Sequence, residues 1–162
     1  MNNFFSLYFD TLKYQKLNII DKDIERPWGG FFVISEDNAQ EFSNIYFNGL
    51  NTEKIKVSGK LSPKILIIAP NKRLSWQYHH RRSEIWKVVI GEIKVVTSHD
   101  DVERKEKILK EGDEIRLYKG ERHRIIGLED YAVVAEIWIH TDKDNPSDEN
   151  DIVRVQDDFD RN

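Results

Sequence analysis

Residues 73–91 read RLSWQYHHRRSEIWKVVIG, and this stretch decides the fold of the chain. It contains two runs rich in aromatic and β-branched residues, 74–79 and 85–90, which favour β-strands. The polar residues 80–83 separate the two runs, and Gly91 follows the second. Because polar residues and glycine favour turns, the stretch predicts two strands joined by a turn.

Runs of the same kind continue along most of the chain. They are short and are separated by turn-forming pairs such as Pro70-Asn71 and Gly120-Glu121. A series of short strands with regular turns is typical of an all-β sandwich or barrel. The predicted strands are Ile55–Val57, Lys64–Ala69, Leu74–His79, Ile85–Ile90, Ile93–Thr97, Lys107–Leu109, Glu114–Tyr118, Arg124–Ile126 and Ala132–Ile139.

Two helical segments precede these strands. Apolar residues recur at helical spacing in segment 4–12, which predicts an amphipathic helix. Segment 35–47 begins with a serine that can cap a helix and with acidic residues, and it predicts a short helix covering a sheet. We therefore expect short accessory helices near the N-terminus of an all-β domain.

Composition limits the class of protein. A chain of 162 residues is long enough for one domain with a hydrophobic core. Its formal net charge of -4 gives no overall basic field, so we predict no nucleic-acid partner. No apolar run approaches the roughly 20 residues that span a bilayer, so we predict a cytoplasmic protein with no membrane partner. Because the chain has no cysteine, thiolate catalysis and cysteine metal sites are excluded.

Four side chains that can bind metals lie in two short segments. Gln77 and His79 are two residues apart and share one face of a strand, whereas His80 faces the other way. Glu84 follows the predicted turn and can return to the first face. His123 begins a later strand, after a turn that contains glycine. An amide oxygen, two imidazoles and a carboxylate favour a divalent metal ion, Zn²⁺ first, with Mn²⁺, Fe²⁺, Co²⁺ and Ni²⁺ as alternatives.

The spacing of these residues resembles the two motifs of the cupin superfamily. The first motif, two ligands two residues apart, then Glu, then Gly, falls on Gln77, His79, Glu84 and Gly91. The second, Gly, Pro-x-Gly, His and Asn, falls on Gly112, Tyr118-Lys119-Gly120, His123 and Gly127. Tyr118 stands where the pattern has Pro, and Gly127 where it has Asn. These two departures affect the turns more than the binding of a metal. The resemblance implies a cupin double-stranded β-helix, a jelly-roll barrel, with metal ligands Gln77, His79, Glu84 and His123.

Other segments narrow the resemblance to the cupin-type (type II) mannose-6-phosphate isomerase family. They are LSWQYHHRRSEIW at 74–86, with Gln where other cupins have the first His, RPWG at 26–29 and DIVRVQDDFDR at 151–161. The family usually has His at the positions of Arg81 and Ile85, so the pocket of this chain differs from the family pattern. The resemblance implies a metal-dependent sugar-phosphate isomerase that interconverts mannose 6-phosphate and fructose 6-phosphate through a metal-stabilised enediol.

Two other functions remain open at this point. A cupin of this kind could bind a metal and a sugar without catalysis, because fold does not fix function. It could also be a nucleotide-sugar epimerase, whose cupin fold usually works without a metal.

The sequence offers several candidates for the other catalytic roles. A substrate phosphate requires cationic donors, and arginine binds it with two hydrogen bonds. We favour Arg154, in the family-like tail, and Arg116, inside the second motif; the other candidates are Lys72, Arg73, Arg81, Arg82, Arg122 and Arg124. The general base is left open between His80, Lys87 and Glu136, and Lys87 completes our predicted catalytic set.

We predict three parts of the chain. Residues 1–25 form an N-terminal helical extension, residues 26–140 form the cupin β-barrel domain, and residues 141–162 form an acidic C-terminal tail packed on or near the barrel. Cupins commonly pair through sheet edges, and the aromatic N-terminal helix can add to such a contact, so we predict a homodimer whose ligand is a small-molecule sugar phosphate.

Overall fold

Antiparallel strands are the main secondary structure of the computed structural model, which describes residues 2–161. The strands are β1 (Ile19–Arg26), β2 (Gly29–Ile34), β3 (Lys64–Ile68), β4 (Trp76–Tyr78), β5 (Arg82–Ile90), β6 (Glu92–Ser98), β7 (Lys105–Lys110), β8 (Glu114–Leu117), β9 (Arg122–Gly127), β10 (Ala132–His140) and β11 (Val153–Gln156). The helices are α1 (Asn3–Tyr14) and α2 (Ala39–Tyr46), with 3₁₀ turns at Glu36–Asn38 and Thr52–Lys54.

These strands form two sheets. The six-stranded sheet has the order β1-β2-β3-β10-β5-β8, and the five-stranded sheet has the order β11-β4-β9-β6-β7. The chain passes from one sheet to the other at several points, for example between β4 and β5. This arrangement confirms the predicted all-β jelly-roll fold with short helices near the N-terminus.

An apolar core lies between the two sheets. Leu66 and Ile68 on β3 and Val134 on β10 pack there against residues of the five-stranded sheet such as Val95 and Ile125. Because successive strand residues point to opposite faces, these positions alternate with residues that face away from the sandwich.

A second apolar core covers the outer face of the six-stranded sheet. Ile65 and Ile67 on β3 pack in it with Phe5 of α1 and Phe42 of α2. Both helices bury their apolar faces on the sheet, as the helical spacing in the sequence predicted. The central strand β3 is therefore buried on both sides.

Turns set the limits of the strands that carry the first motif. Gly91 alone joins β5 to β6 and has a φ of 76°, a left-handed conformation that favours glycine.

The predicted strand Ile55–Val57 is wrong: residues 52–54 form a 3₁₀ turn, and Val57 makes only an isolated bridge to Lys60. Asn51 caps this turn by accepting a hydrogen bond from Glu53 N, which favours the turn over an extended segment.

Segments near both ends of the described chain form strands of the two sheets. Strand β1 pairs with β2, and strand β11, in the acidic tail, pairs with β4. The three-part division of the chain at residues 25 and 140 stays a prediction. Neither helix in the described part of the chain has the length and apolar character that crossing a membrane requires.

Candidate metal centre and cavity

Strands from both sheets bring the predicted ligands to one place. Gln77 on β4 is the cross-strand partner of His123 on β9 in the five-stranded sheet. Glu84 lies near the start of β5 in the opposite sheet, and its side chain faces inward like those of Trp86 and Val88. His79 immediately follows β4, and His80 is exposed on the other side. The structure therefore has Gln77 and His79 on one face and His80 on the other, as the strand alternation in the sequence predicted.

His79, Glu84 and His123 form a compact buried cluster. The distance from His79 Nε2 to Glu84 Oε1 is 3.1 Å, and that from His123 Nε2 to Glu84 Oε2 is 3.6 Å. The ligand atoms of the three residues all lie within 4.8 Å of one another. Each residue is at most 2% exposed to solvent.

Both imidazoles are oriented by backbone carbonyls. His79 Nδ1 lies 2.6 Å from Asp151 O, and His123 Nδ1 lies 2.8 Å from Glu121 O. A carbonyl only accepts hydrogen bonds, so each Nδ1 carries the proton and each Nε2 presents its lone pair to the cluster. Metal-binding histidines are typically oriented in this way.

The electrostatics of the cluster favour the ligand forms of these groups. Burial lowers the pKa of His123 to about 4, so its imidazole is neutral at pH 7. Burial alone would raise the pKa of Glu84, but neighbouring positive charge, of which Arg82 is the permanent source, outweighs burial and holds that pKa well below its usual range. In the described part of the chain, Glu84 Oε2 and His123 Nε2 have no hydrogen-bond partner.

Gln77 lies at the edge of this cluster. Its amide is 3.4 Å from His79 Nε2, and its Oε1 accepts a hydrogen bond from Ser75 Oγ at 2.5 Å. Rotating the amide by half a turn places the oxygen beside the imidazole, and the serine hydroxyl can then accept from the amide nitrogen. The donor set and the two unpartnered atoms therefore fit a divalent ion, with the histidines and Glu84 as its main ligands; that the four residues bind one stays a prediction.

A cavity of about 510 Å³ opens beside the cluster. Gln77 and Glu84 line it, together with three of the four tryptophans of the chain. The size matches that of typical small-molecule sites. Its charged lining residues are Arg26, Lys64, Arg82, Glu84, Glu136, Glu149, Arg154 and Arg161.

Glu136 is a buried acid in the wall of this cavity. It lies on β10 beside Trp86 of β5, whose Nε1 donates a hydrogen bond to Glu136 Oε1 at 2.9 Å. Burial, and then the negative charge of Glu84, raise the pKa of Glu136 to about 7. A carboxyl group with such a pKa can gain and lose a proton near neutral pH.

Three arginines gather in another part of the wall. Arg26 ends β1, Arg154 lies on β11, and Arg161 is near the end of the described chain. Burial, and then the positive charge of Arg161 with a further contribution from Arg26, lower the pKa of Arg154. Each guanidinium has five N–H donors, so Arg26, which pairs with Asp23, and Arg161, which pairs with Asp157, keep further donors for an anion.

Arg154 is the member of the predicted catalytic set that lines the cavity. Lys87 lies on β5 between the inward-facing Trp86 and Val88, so its side chain points to the outer face. Arg116 is exposed on β8, 5.2 Å from the ring of Tyr118. Both residues were predicted near the site because they lie close to a motif in sequence. In the structure their side chains lie on the strand face that points away from the site.

Most of the other cationic candidates have different partners. Arg73 pairs with Asp158, Arg81 with Asp148, Arg122 with Asp101 and Arg124 with Glu103. Arg82 lines the cavity and pairs with Glu84.

Sequence reasoning missed Lys64, Arg26 and Arg161. Lys64 opens a strand that is otherwise apolar, KILII, and is 5% exposed. A lone charge in a buried strand is a signal that could have identified it, because such a charge needs a partner or a ligand. Arg26 and Arg161 lie in the family-like segments 26–29 and 151–161, which is a signal that could have identified them.

The sequence of the chain matches a known family model. The model for the mannose-6-phosphate isomerase C-terminal family matches residues 35–157, more than half of the chain. A comparison with curated proteins gave no match.

Several solved structures resemble this fold. A CapF structure with the inhibitor 3-isopropenyl-tropolone has a TM-score of 0.57 and 18% identity over 85% of this chain, which spans only 34% of the CapF chain. Drosophila melanogaster CENP-C bound to CAL1 has a TM-score of 0.51 and 16% identity over 76% of each chain. A cupin-superfamily sugar phosphate isomerase from Silicibacter pomeroyi has a TM-score of 0.44 and 17% identity over 49% of this chain and 50% of its own. The first two likenesses show a shared fold and carry no information on activity.

Proposed function

The chain belongs to the mannose-6-phosphate isomerase C-terminal family, and from this premise we propose that it is a metal-dependent isomerase of sugar phosphates. The leading pair of substrates is mannose 6-phosphate and fructose 6-phosphate. The observation that carries the proposal is the cavity, which Glu84, Glu136 and the three arginines all line.

A divalent ion held by His79, Glu84, His123 and Gln77 would polarise the carbonyl and hydroxyl oxygens of the substrate as a Lewis acid. Zn²⁺ is our first choice for this donor set. The neutral form of His123 and the ionised form of Glu84 support this role, because a metal ion binds a neutral imidazole and a carboxylate, not their protonated forms.

Glu136 is the general base in this proposal. Interconverting an aldose and a ketose requires removal of a proton from the carbon next to the carbonyl and its return to the neighbouring carbon. The carboxylate of Glu136 accepts the first proton and, as the acid, donates it to the neighbouring carbon, while the proton of the adjacent hydroxyl moves to the former carbonyl oxygen, so the enzyme ends in its starting state. Its raised pKa and its place in the cavity wall support this role over His80, which is exposed, and Lys87, which faces outward.

Arg26, Arg154 and Arg161 bind the substrate phosphate in this proposal. Their contribution is to fix the sugar phosphate in one orientation, which places its reacting carbons beside Glu136. The wall residues Trp28, Phe31 and Trp138 exclude water from the sugar ring.

The test is conversion of fructose 6-phosphate to mannose 6-phosphate by metal-loaded protein, followed by NMR. We expect turnover and stoichiometric metal in the wild type and in His80→Ala, a control beside the cluster. We expect metal and turnover to be lost together in His123→Ala. Metal binding without turnover, with any of the ions named above, would contradict the proposal and favour a binding protein.

The predicted homodimer and cytoplasmic location stay predictions. Light scattering at micromolar concentration decides the first, and a monomeric mass would reject it.

A further inference from the structure

Arg82 places a positive charge inside the candidate metal centre. It is the first residue of β5 and is 5% exposed. Its Nε donates a hydrogen bond to Glu84 Oε1 at 2.8 Å, and its Nη2 lies 3.2 Å from His79 Nε2. One guanidinium thus contacts two of the three residues in the cluster.

Other contacts hold this guanidinium firmly in place. Its Nη1 donates to Ser147 Oγ at 2.9 Å and to Asp148 O at 3.1 Å, both in the acidic tail. Its Cζ lies over the ring of Trp138, 3.6 Å from the ring centroid. The side chain is therefore a fixed part of the centre.

The contact with His79 cannot coexist with metal binding at the same atom. Because His79 Nδ1 donates to Asp151 O, Nε2 has a single lone pair. That lone pair accepts a hydrogen bond from Arg82 or binds a metal ion, but not both. Glu84 differs, because Oε2 remains unpartnered while Oε1 accepts from Arg82.

The negative charge of Glu84 also implies that Arg82 stands in for a metal ion. A buried carboxylate without a counter-charge is strongly destabilising, so a metal-free protein needs another cation beside Glu84. Arg82 supplies that cation.

We propose that Arg82 is a resident cation that occupies the metal's place at His79 and Glu84 in the metal-free protein, so that a metal ion binds in competition with its guanidinium. The inference rests on the proposed metal site but not on the isomerase activity.

The main test is the dissociation constant for Zn²⁺ or Co²⁺, measured against a chromophoric chelator, in Arg82→Met and in the wild type. Arg81→Met is the matched control, because its arginine is partly exposed and pairs with Asp148. Loss of the competitor should tighten binding about tenfold or more in Arg82→Met and leave Arg81→Met unchanged. Unchanged or weaker binding in Arg82→Met would overturn the proposal, because Arg82 would then merely orient Glu84.

Stability without metal gives a second measurement. We expect Arg82→Met to lower the thermal midpoint of the metal-free protein, and we expect this loss to shrink in a Glu84→Gln background, where no buried negative charge remains. An equal loss in both backgrounds would overturn the counter-charge role. If Arg82→Met does not fold, Arg82→Lys replaces it, since lysine keeps the charge but cannot contact both ligands; unchanged metal affinity in that variant also overturns the proposal.

These outcomes separate the inference from the proposed function. Binding in Arg82→Met but not in the wild type supports the inference and contradicts the metal-dependent activity of the native chain. Absence of binding in both proteins overturns both.

Discussion

The two faces of the six-stranded sheet have different roles: the outer face packs in an apolar core, and the inner face lines the cavity at one end. On β3 the inward residue Lys64 is next to the outward Ile65, and on β5 Glu84 is next to Ile85. The outward residues pack under α1 and α2 in an apolar core, and the inward ones line the cavity. Because strand side chains alternate, one residue step separates a packing position from a chemical one.

Antiparallel register explains why the inward charges collect at one end of the sandwich. Glu136 on β10 is the cross-strand partner of Lys64 at the start of β3, and Trp138 is the partner of Glu84 near the start of β5. The opposite end of the same inner face is apolar. Burying charges in this way is costly, so the outer core must stabilise a sheet whose inner face serves another role.

The largest effect that we expect concerns the inner face of β10. Glu136→Gln should lower kcat by about 10²–10⁴-fold, because an amide accepts the hydrogen bond from Trp86 but cannot accept a proton. Ile137→Val, one residue away on the outer face, should leave kcat unchanged. Steady-state kinetics at equal metal content measure both, and near-normal turnover in Glu136→Gln would remove Glu136 from the mechanism.

Two neighbouring phenylalanines of β2 lie on opposite faces of the sheet, so their replacement compares the contribution of each face to the free energy of unfolding. Phe32 is fully buried in the outer core, and Phe31 lines the cavity. Phe32→Ala should cost about 3–5 kcal/mol of unfolding free energy without changing metal affinity. Phe31→Ala should cost less, because its ring already borders a cavity. Urea denaturation gives the free energies, and equal losses would show that the two faces contribute alike.

The pH dependence of stability tests the charge on the inner face. The pKa of Glu136 is about 7 when folded, above its ordinary 4.5, so the folded state binds this proton more tightly than the unfolded state. Wild-type stability should therefore fall relative to Glu136→Gln as pH rises from 4.5 to 7, by about 3 kcal/mol, and level off above 7. Denaturation of both metal-free proteins across this range measures the difference. A difference independent of pH would contradict the buried acid.

The smallest effects concern the arginines and the outward lysine. Arg154→Met should weaken binding of fructose 6-phosphate about 10- to 100-fold, the loss expected for a charge-assisted hydrogen bond. Calorimetric titration measures this, and the neutral sugar fructose should show no such difference. Lys87→Met and Arg116→Met, which lie outside the cavity, should bind like the wild type; a large effect in either would contradict the assignment of faces.

The sequence by itself predicted the strands from short-range periodicity and, through the resemblance to the two cupin motifs, the candidate ligands. Strand alternation and motif spacing place Gln77, His79 and Glu84, and the second motif adds His123. The family match confirms the resemblance on which the cupin assignment rests. Lys64 was within reach of the same reasoning, as a lone charge in an apolar strand.

Only the tertiary structure decided which charges face the cavity. Arg26 ends β1 and Arg161 follows β11, so the two are far apart in sequence, yet both line the cavity. Lys87 and Arg116 lie close to the motifs in sequence and yet point away from the site. The sequence made Arg82 a candidate for binding the substrate phosphate, whereas in the structure it is a buried cation against Glu84. The physical reason is that a charge acts through distance and burial, which depend on strand register and on packing between sheets rather than on position along the chain.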